Sequence, residues 1–188
     1  MNPINRITSV LLASLLLISC GSRDTGEQAT QKKSESELFM QKLSQFCGEK
    51  ITGKAEVLNE DLTMQEKEVV FYFSKCTDNE IRMTIETTEP EKTTIILTMV
   101  EKELLLKHDV KTHDMIPAEF TMYGGFADHS GDENRQFFPV HNFGGTMWPG
   151  FENYSWEMGF LEEENRFYYK ERNDDLVTRQ FTLTLPAL

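Results

Sequence analysis

Apolar and polar residues alternate with a period of two along most of the chain beyond residue 48, and that rhythm restricts the fold to antiparallel sheet with one wet face. Ile81, Met83 and Ile85 alternate with Glu80, Arg82, Thr84 and Glu86; Tyr154, Trp156, Met158 and Phe160 with Asn153, Ser155, Glu157 and Gly159; Phe181, Leu183 and Leu185 with Gln180, Thr182 and Thr184. Further strands are expected at 51–58, 68–75, 93–100, 103–108, 119–123 and 166–172. Turn-forming clusters separate them at Thr77-Asp78-Asn79, Glu89-Pro90-Glu91, Glu162 to Asn165 and Asn173-Asp174-Asp175. Roughly nine short strands at this spacing predict an all-β barrel or sandwich. Three consecutive strand patterns between 153 and 185 favour an antiparallel up-and-down barrel of the calycin type, with a β-sandwich as the alternative. Closure would also remove the edges that such aromatic strands otherwise offer to aggregation. One short N-terminal helix is expected over 36–46, where Leu38, Phe39, Leu43 and Phe46 share a face and Ser34 and Glu37 are spaced as a capping box.

The N-terminal residues carry a different message. Arg6 precedes an apolar run from Ile7 to Ile18 that is too short to span a bilayer as a helix. At its end, Leu17-Ile18-Ser19-Cys20-Gly21 resembles a bacterial lipoprotein signal: an aliphatic residue three before the cysteine, a small one just before it, then the thiol. The resemblance implies a signal peptide at 1–19, cleavage before Cys20, diacylglycerol on its sulfur and an acyl chain such as palmitate on its new amino group. Several acyl chains anchor stably where one binds marginally. Gly21 in place of Asp implies the outer membrane rather than retention at the inner one. Residues 20–36 then read as a lipidated cysteine and disordered tether, whose three positive charges (Arg23, Lys32, Lys33) balance three negative ones (Asp24, Glu27, Glu35). The β-rich globular domain is 37–188.

Charge narrows the partners. The chain has 19 Lys+Arg against 31 Asp+Glu; loss of Arg6 with the signal leaves 18 against 31, a net −13 that the neutral tether assigns to the globular domain. Nucleic acid is excluded as an electrostatic partner, because binding to phosphates is driven by Lys and Arg. The expected membrane contact is through the lipid anchor, not through the domain. With Cys20 lipidated, Cys47 and Cys76 remain as a pair in an oxidising compartment and are expected to form a disulfide. In the chain-entropy model, a closed loop of this size is worth about 3.5 kcal/mol.

Cys47-Gly48, Cys76, Leu106-Lys107-His108-Asp109, Thr121-Met122-Tyr123-Gly124-Gly125 and Arg135-Gln136-Phe137-Phe138-Pro139 resemble the spaced signatures of a group of small secreted bacterial proteins of uncharacterised function. The resemblance runs from 47 to about 140 and implies a disulfide and an extracytoplasmic compartment. The group's segment after His-Asp is richer in histidine and ends in Asp-Gly; here Val110-Lys111-Thr112 and His113-Asp114-Met115 stand instead, which argues against metal binding by resemblance.

Three functional readings follow from the residues. All four histidines, His108, His113, His129 and His141, fall between 108 and 141 among Asp109, Asp114, Asp128, Asp132 and Glu133, a mixture that suits zinc, iron or manganese in a metal-dependent enzyme. His108 and His113 are the first candidate ligands, and a solvated acidic loop explains the same letters. No cofactor is otherwise expected, and there is no nucleophile elbow or phosphate-binding glycine loop. The second reading uses the aromatic excess: most rings are core, but Phe126, Phe143 and Trp148, in Gly-rich segments, together with Trp156 could hold a small apolar ligand in the barrel. The third reading is a protein-interaction or scaffold lipoprotein, with a filled interior and an exposed patch over Phe143 to Phe151.

Overall fold

A computed structural model describes residues 32–87, 91–141, 150 and 152–187. Cys20, Phe143 and Trp148, and with them the expected signal and most of the tether and of the Phe143 to Phe151 patch, lie outside the described residues. Among those described, no helix is long and apolar enough to cross a membrane.

The first element, α1 (Glu35–Ser44), begins where the capping box places it: the Ser34 hydroxyl accepts from the Glu37 amide at 3.2 Å and the Glu37 carboxylate accepts from the Ser34 amide at 2.6 Å. Ten strands follow: β1 (Lys50–Leu58), β2 (Met64–Cys76), β3 (Glu80–Glu86), β4 (Lys92–Val100), β5 (Glu103–Lys111), β6 (Tyr123–Phe126), β7 (Arg135–Pro139), β8 (Tyr154–Leu161), β9 (Arg166–Asn173) and β10 (Leu176–Thr184). They form one continuous sheet in the order β6-β5-β4-β3-β2-β1-β10-β9-β8-β7, every pair antiparallel. Each strand therefore lies beside its sequence neighbour, and β1 pairs with β10 from Gly53↔Leu183 to Val57↔Arg179. The result is an all-β, nearly closed up-and-down barrel, and a single continuous sheet excludes the sandwich.

The two ends of that sheet, β6 and β7, meet at a seam. There, among the described residues, the backbone bonds are Asp128 N to Phe137 O and His141 N to Gly124 O, both 2.9 Å. Gly125 makes the approach possible, since a Cβ there would lie 1.8 Å from the Pro139 carbonyl oxygen. The seam strands are where the alternation misleads. A strand is expected at 119–123, whereas Glu119 to Met122 lie in the β5–β6 connection and the strand begins at Tyr123; β7 falls where no strand is expected. Both are short: glycines fill the centre of β6, and β7 sets Phe137 and Phe138 side by side, so neither shows a clear alternation. β2 also starts at Met64, four residues before the apolar pattern, because its polar first half, Met64 to Glu68, pairs with β1.

The inward positions are the predicted apolar ones. Phe71, Phe73, Ile81, Met83, Ile95, Leu97, Leu104, Leu106, Phe138, Trp156, Met158, Phe167 and Leu183 are fully buried in one core. Each such side chain stabilises the fold by roughly 1.5–3 kcal/mol relative to exposure. α1 closes one end of the barrel by inserting Phe39, Met40 and Leu43. The Phe39 ring meets Phe160 edge-on at 5.6 Å, and Phe46 lies 5.9 Å from Phe73. Lys42 ties the helix to the rim through Asn134, Glu133 and Glu162.

Cys47 and Cys76 are joined, with Cα atoms 5.9 Å apart, fastening the chain just after α1 to the end of β2. Backbone bonds Gly48 N to Phe73 O and Phe73 N to Glu49 O flank the bridge. The bridge therefore holds the helical plug against the end it closes. Reduction, or the Cys47→Ser/Cys76→Ser double variant, is expected to lower unfolding free energy by about 3 kcal/mol in urea titrations.

Candidate functional site

The barrel interior changes character along its axis. Near α1 it is dry and apolar, whereas toward the opposite end, the mouth, it takes in polar side chains. His108 on β5 is 2% exposed. Its ring stacks on Tyr123 at 4.7 Å and lies 4.9 Å from Trp156 and 6.0 Å from Tyr169. His108 Nδ1 is 3.2 Å from the Tyr123 carbonyl oxygen, which can only accept, so Nδ1 carries the proton. Nε2 then accepts from the Tyr169 hydroxyl at 2.5 Å. Both ring nitrogens are satisfied in the neutral form. Burial pushes the His108 pKa down to about 3, against a smaller opposing effect of the Tyr123 carbonyl bond and with a small contribution from Arg179. The same burial raises the phenols of Tyr123 and Tyr169, with Glu171 adding to it in both cases.

Glu171 is the inward carboxylate of this layer. It accepts from Trp156 Nε1 at 3.3 Å and from the Thr178 hydroxyl at 3.1 Å. Thr178 can reach it because the β9–β10 register shifts between Val177 and Arg179. Above this layer the mouth opens into a cavity of about 240 Å³. Ala55, Val57, Ile85 and Phe181 supply its apolar surface, Thr87 and Thr93 hydroxyls, Lys67, Glu68 and Glu91 charges, and Arg179 a guanidinium. The Arg179 side chain is exposed at the mouth and makes no hydrogen bond or ion pair with any described residue.

These placements sort the candidates. Trp156 is fully buried in the core beneath the cavity and does not line it. Phe126 ends β6, half-buried, with its ring 5.9 Å from that of His141 across the seam. His108 lies inside the barrel, whereas His113, His129 and His141 are exposed. Among the described residues no group of three or more His, Cys, Asp or Glu is arranged to hold a metal ion. Neighbours in sequence are thus separated by the barrel wall. Arg179 was not singled out from the sequence, yet the signal is present: it shares the parity of Phe181, Leu183 and Leu185 and is a charge at an inward position.

The mouth also carries backbone strain. Leu62, Met115 and Met122, at the β1–β2 turn and in the β5–β6 connection, have φ of 57°, 60° and 59°. This is the left-handed region that bulky residues seldom occupy, at a cost of about 1–2 kcal/mol each.

No protein-family model matches the chain, and no curated protein matches it.

The buried imidazole makes a pH prediction. Folded His108 stays neutral down to about pH 3, while an unfolded histidine takes its proton near 6.5, so between those values the unfolded chain binds more protons and stability falls with falling pH. His108→Gln is expected to remove about 2 kcal/mol of the stability difference between pH 7 and pH 5, read from urea midpoints of variant and parent.

Proposed function

We propose that the protein is a lipid-anchored envelope lipoprotein whose barrel binds a small amphiphile in its mouth, with an apolar body on Ala55, Val57, Ile85 and Phe181 and an anionic head on Arg179. The observation that carries this reading is the cavity of about 240 Å³, which combines an apolar floor with a guanidinium that has no partner among the described residues. A concave apolar site with a few convergent polar groups is the usual form of a small-ligand site. The volume favours a short ligand, because the barrel below is filled by Trp156, Phe71 and Met83. Arg179 supplies direction: a carboxylate head can form an ion pair with two parallel hydrogen bonds to a guanidinium, which a neutral alcohol does not match and a cationic ammonium cannot make. Glu91 and Glu68, on the same rim, disfavour a doubly charged anion.

Isothermal titration calorimetry with octanoate, octanol and octylamine tests this. Octanoate is expected to bind at least tenfold more tightly than octanol, and Arg179→Gln to abolish that preference. No saturable octanoate binding, or a preference for octylamine, sinks the reading.

The anchor is supported by the Leu17-Ile18-Ser19-Cys20 pattern. Expressed with its leader in a diderm bacterium, the parent chain is expected to partition into the detergent phase of a cloud-point extraction, and Cys20→Ser into the aqueous phase.

A further inference from the structure

We propose that the mouth rim is a docking surface for a cationic amphipathic protein segment, gripped by exposed apolar side chains and by carboxylates that have no basic partner among the described residues. This goes beyond the ligand reading and rests on other residues.

In an up-and-down barrel the β1–β2, β5–β6 and β9–β10 connections all lie at one end, here the end opposite α1. Exposed large apolar side chains concentrate there: Leu62 (73% exposed), Met64, Met115, Ile116 (61%), Met122 and Leu176, with Phe120 beside them. At the closed end and its rim only Val100 and Leu161 compare among the described residues, each just above a third exposed. Scattered exposed apolar side chains need no explanation, but a collar of them around one opening does.

The connecting loops at this end are equally one-sided in charge. The segments 59–63, 112–122 and 174–175 contain Asp and Glu but no Lys or Arg. Glu60, Asp61, Asp114, Glu119, Asp174 and Asp175 alternate with the apolar collar. Among the described residues none of these six carboxylates pairs with a cation, whereas the walls and closed end carry pairs such as Lys42–Glu162, Lys54–Glu66 and Lys75–Glu80. Apolar anchors interleaved with unneutralised carboxylates are complementary to a segment carrying apolar residues on one face and Lys or Arg on the other. Methionines at Met64, Met115 and Met122 suit such a surface, because their unbranched, polarizable side chains repack around differing partners. A second copy of this chain would set the same acidic loops against one another, and an anionic bilayer would be repelled by the carboxylates of loops that hold no Lys or Arg.

Strain gives the surface a signature. Leu62, Met115 and Met122 hold left-handed backbone that asparagine adopts readily, so the apolar residue is the unfavourable choice for folding at all three positions. The Leu62→Asn/Met115→Asn/Met122→Asn variant therefore separates a structural role from a docking one.

The experiment measures binding of fluorescent synthetic helices to the full chain by anisotropy. One helix carries Leu at i, i+3, i+4 and i+7 with Lys elsewhere, a second replaces Leu by Ser at the same charge, and a third replaces Lys by Glu. The Leu/Lys helix is expected to bind at least tenfold more tightly than either control and to weaken with salt. The triple Asn variant is expected to lose at least tenfold in affinity with Tm unchanged or raised, and Arg179→Gln to bind like the parent, which keeps this result independent of the ligand site. Equal binding of the Ser/Lys helix would reduce the effect to net charge and overturn the proposal. So would undiminished binding by the triple variant, or capture of the parent by phosphatidylglycerol vesicles in place of the Leu/Lys helix.

Discussion

Pairing of the first strand with the last is the interaction on which the rest of this structure depends. Every other ladder joins strands that are sequence neighbours and could form in a local hairpin; β1 against β10, Gly53↔Leu183 to Val57↔Arg179, alone bends the meander into a ring. Gly53 sits at this junction with its missing side chain toward the Thr182 carbonyl, 2.3 Å from where a Cβ would stand. The inward residues of both halves bury one another only because this pair has formed, as in the Phe71–Phe181 edge contact at 5.3 Å between β2 and β10. Such a long-range pair is entropically costly to nucleate, so folding has to wait for it.

With the ring established, the interior divides by chemistry. At the α1 end, packing is aromatic and aliphatic and the helix excludes water. Toward the mouth, Tyr123, Tyr169, Trp156 and His108 bring polar atoms inward, and each is matched: imidazole to carbonyl and phenol, indole to Glu171. A neutral histidine with both nitrogens bonded is a structural device that fixes ring positions under the cavity, and its chemistry is spent on that. Arg179 differs because it shares the inward parity but finds no partner in the described residues. The contrast between a saturated buried layer and one exposed cation without a protein partner among the described residues is what gives the mouth a direction.

Much of this was legible in the amino-acid order. Alternation in β3, β8 and β10 marked the inward residues individually, Ser34 and Glu37 marked the start of α1, and an even pair of thiols marked the bridge. What stayed hidden has physical reasons. β6 and β7 are short seam strands: the glycines of β6 serve close backbone approach and β7 has Phe137 and Phe138 side by side, so neither carries a clear period. The histidines cluster in sequence, but the barrel wall separates buried His108 from exposed His113, His129 and His141, so proximity along the chain did not become proximity in space. Trp156 was readable as inward but not as beneath the cavity, since depth along a barrel axis depends on register, which alternation does not encode.

The seam has a consequence for how the polypeptide could be cut. The β6–β7 connection, residues 127–134, links two strands joined only by the seam bonds, while the strands nearest the chain's ends share a ladder of five register pairs. Covalent order and hydrogen-bond order thus describe the same ring opened at two different points. A break between β6 and β7 leaves two pieces, one running from α1 to β6 and the other from β7 to β10. Every strand in each piece keeps its sequence-neighbour ladders, and the pieces are held to each other by β1 and β10. The molecule is, in that sense, two sheets of six and four strands that happen to share a peptide connection at their weakest margin.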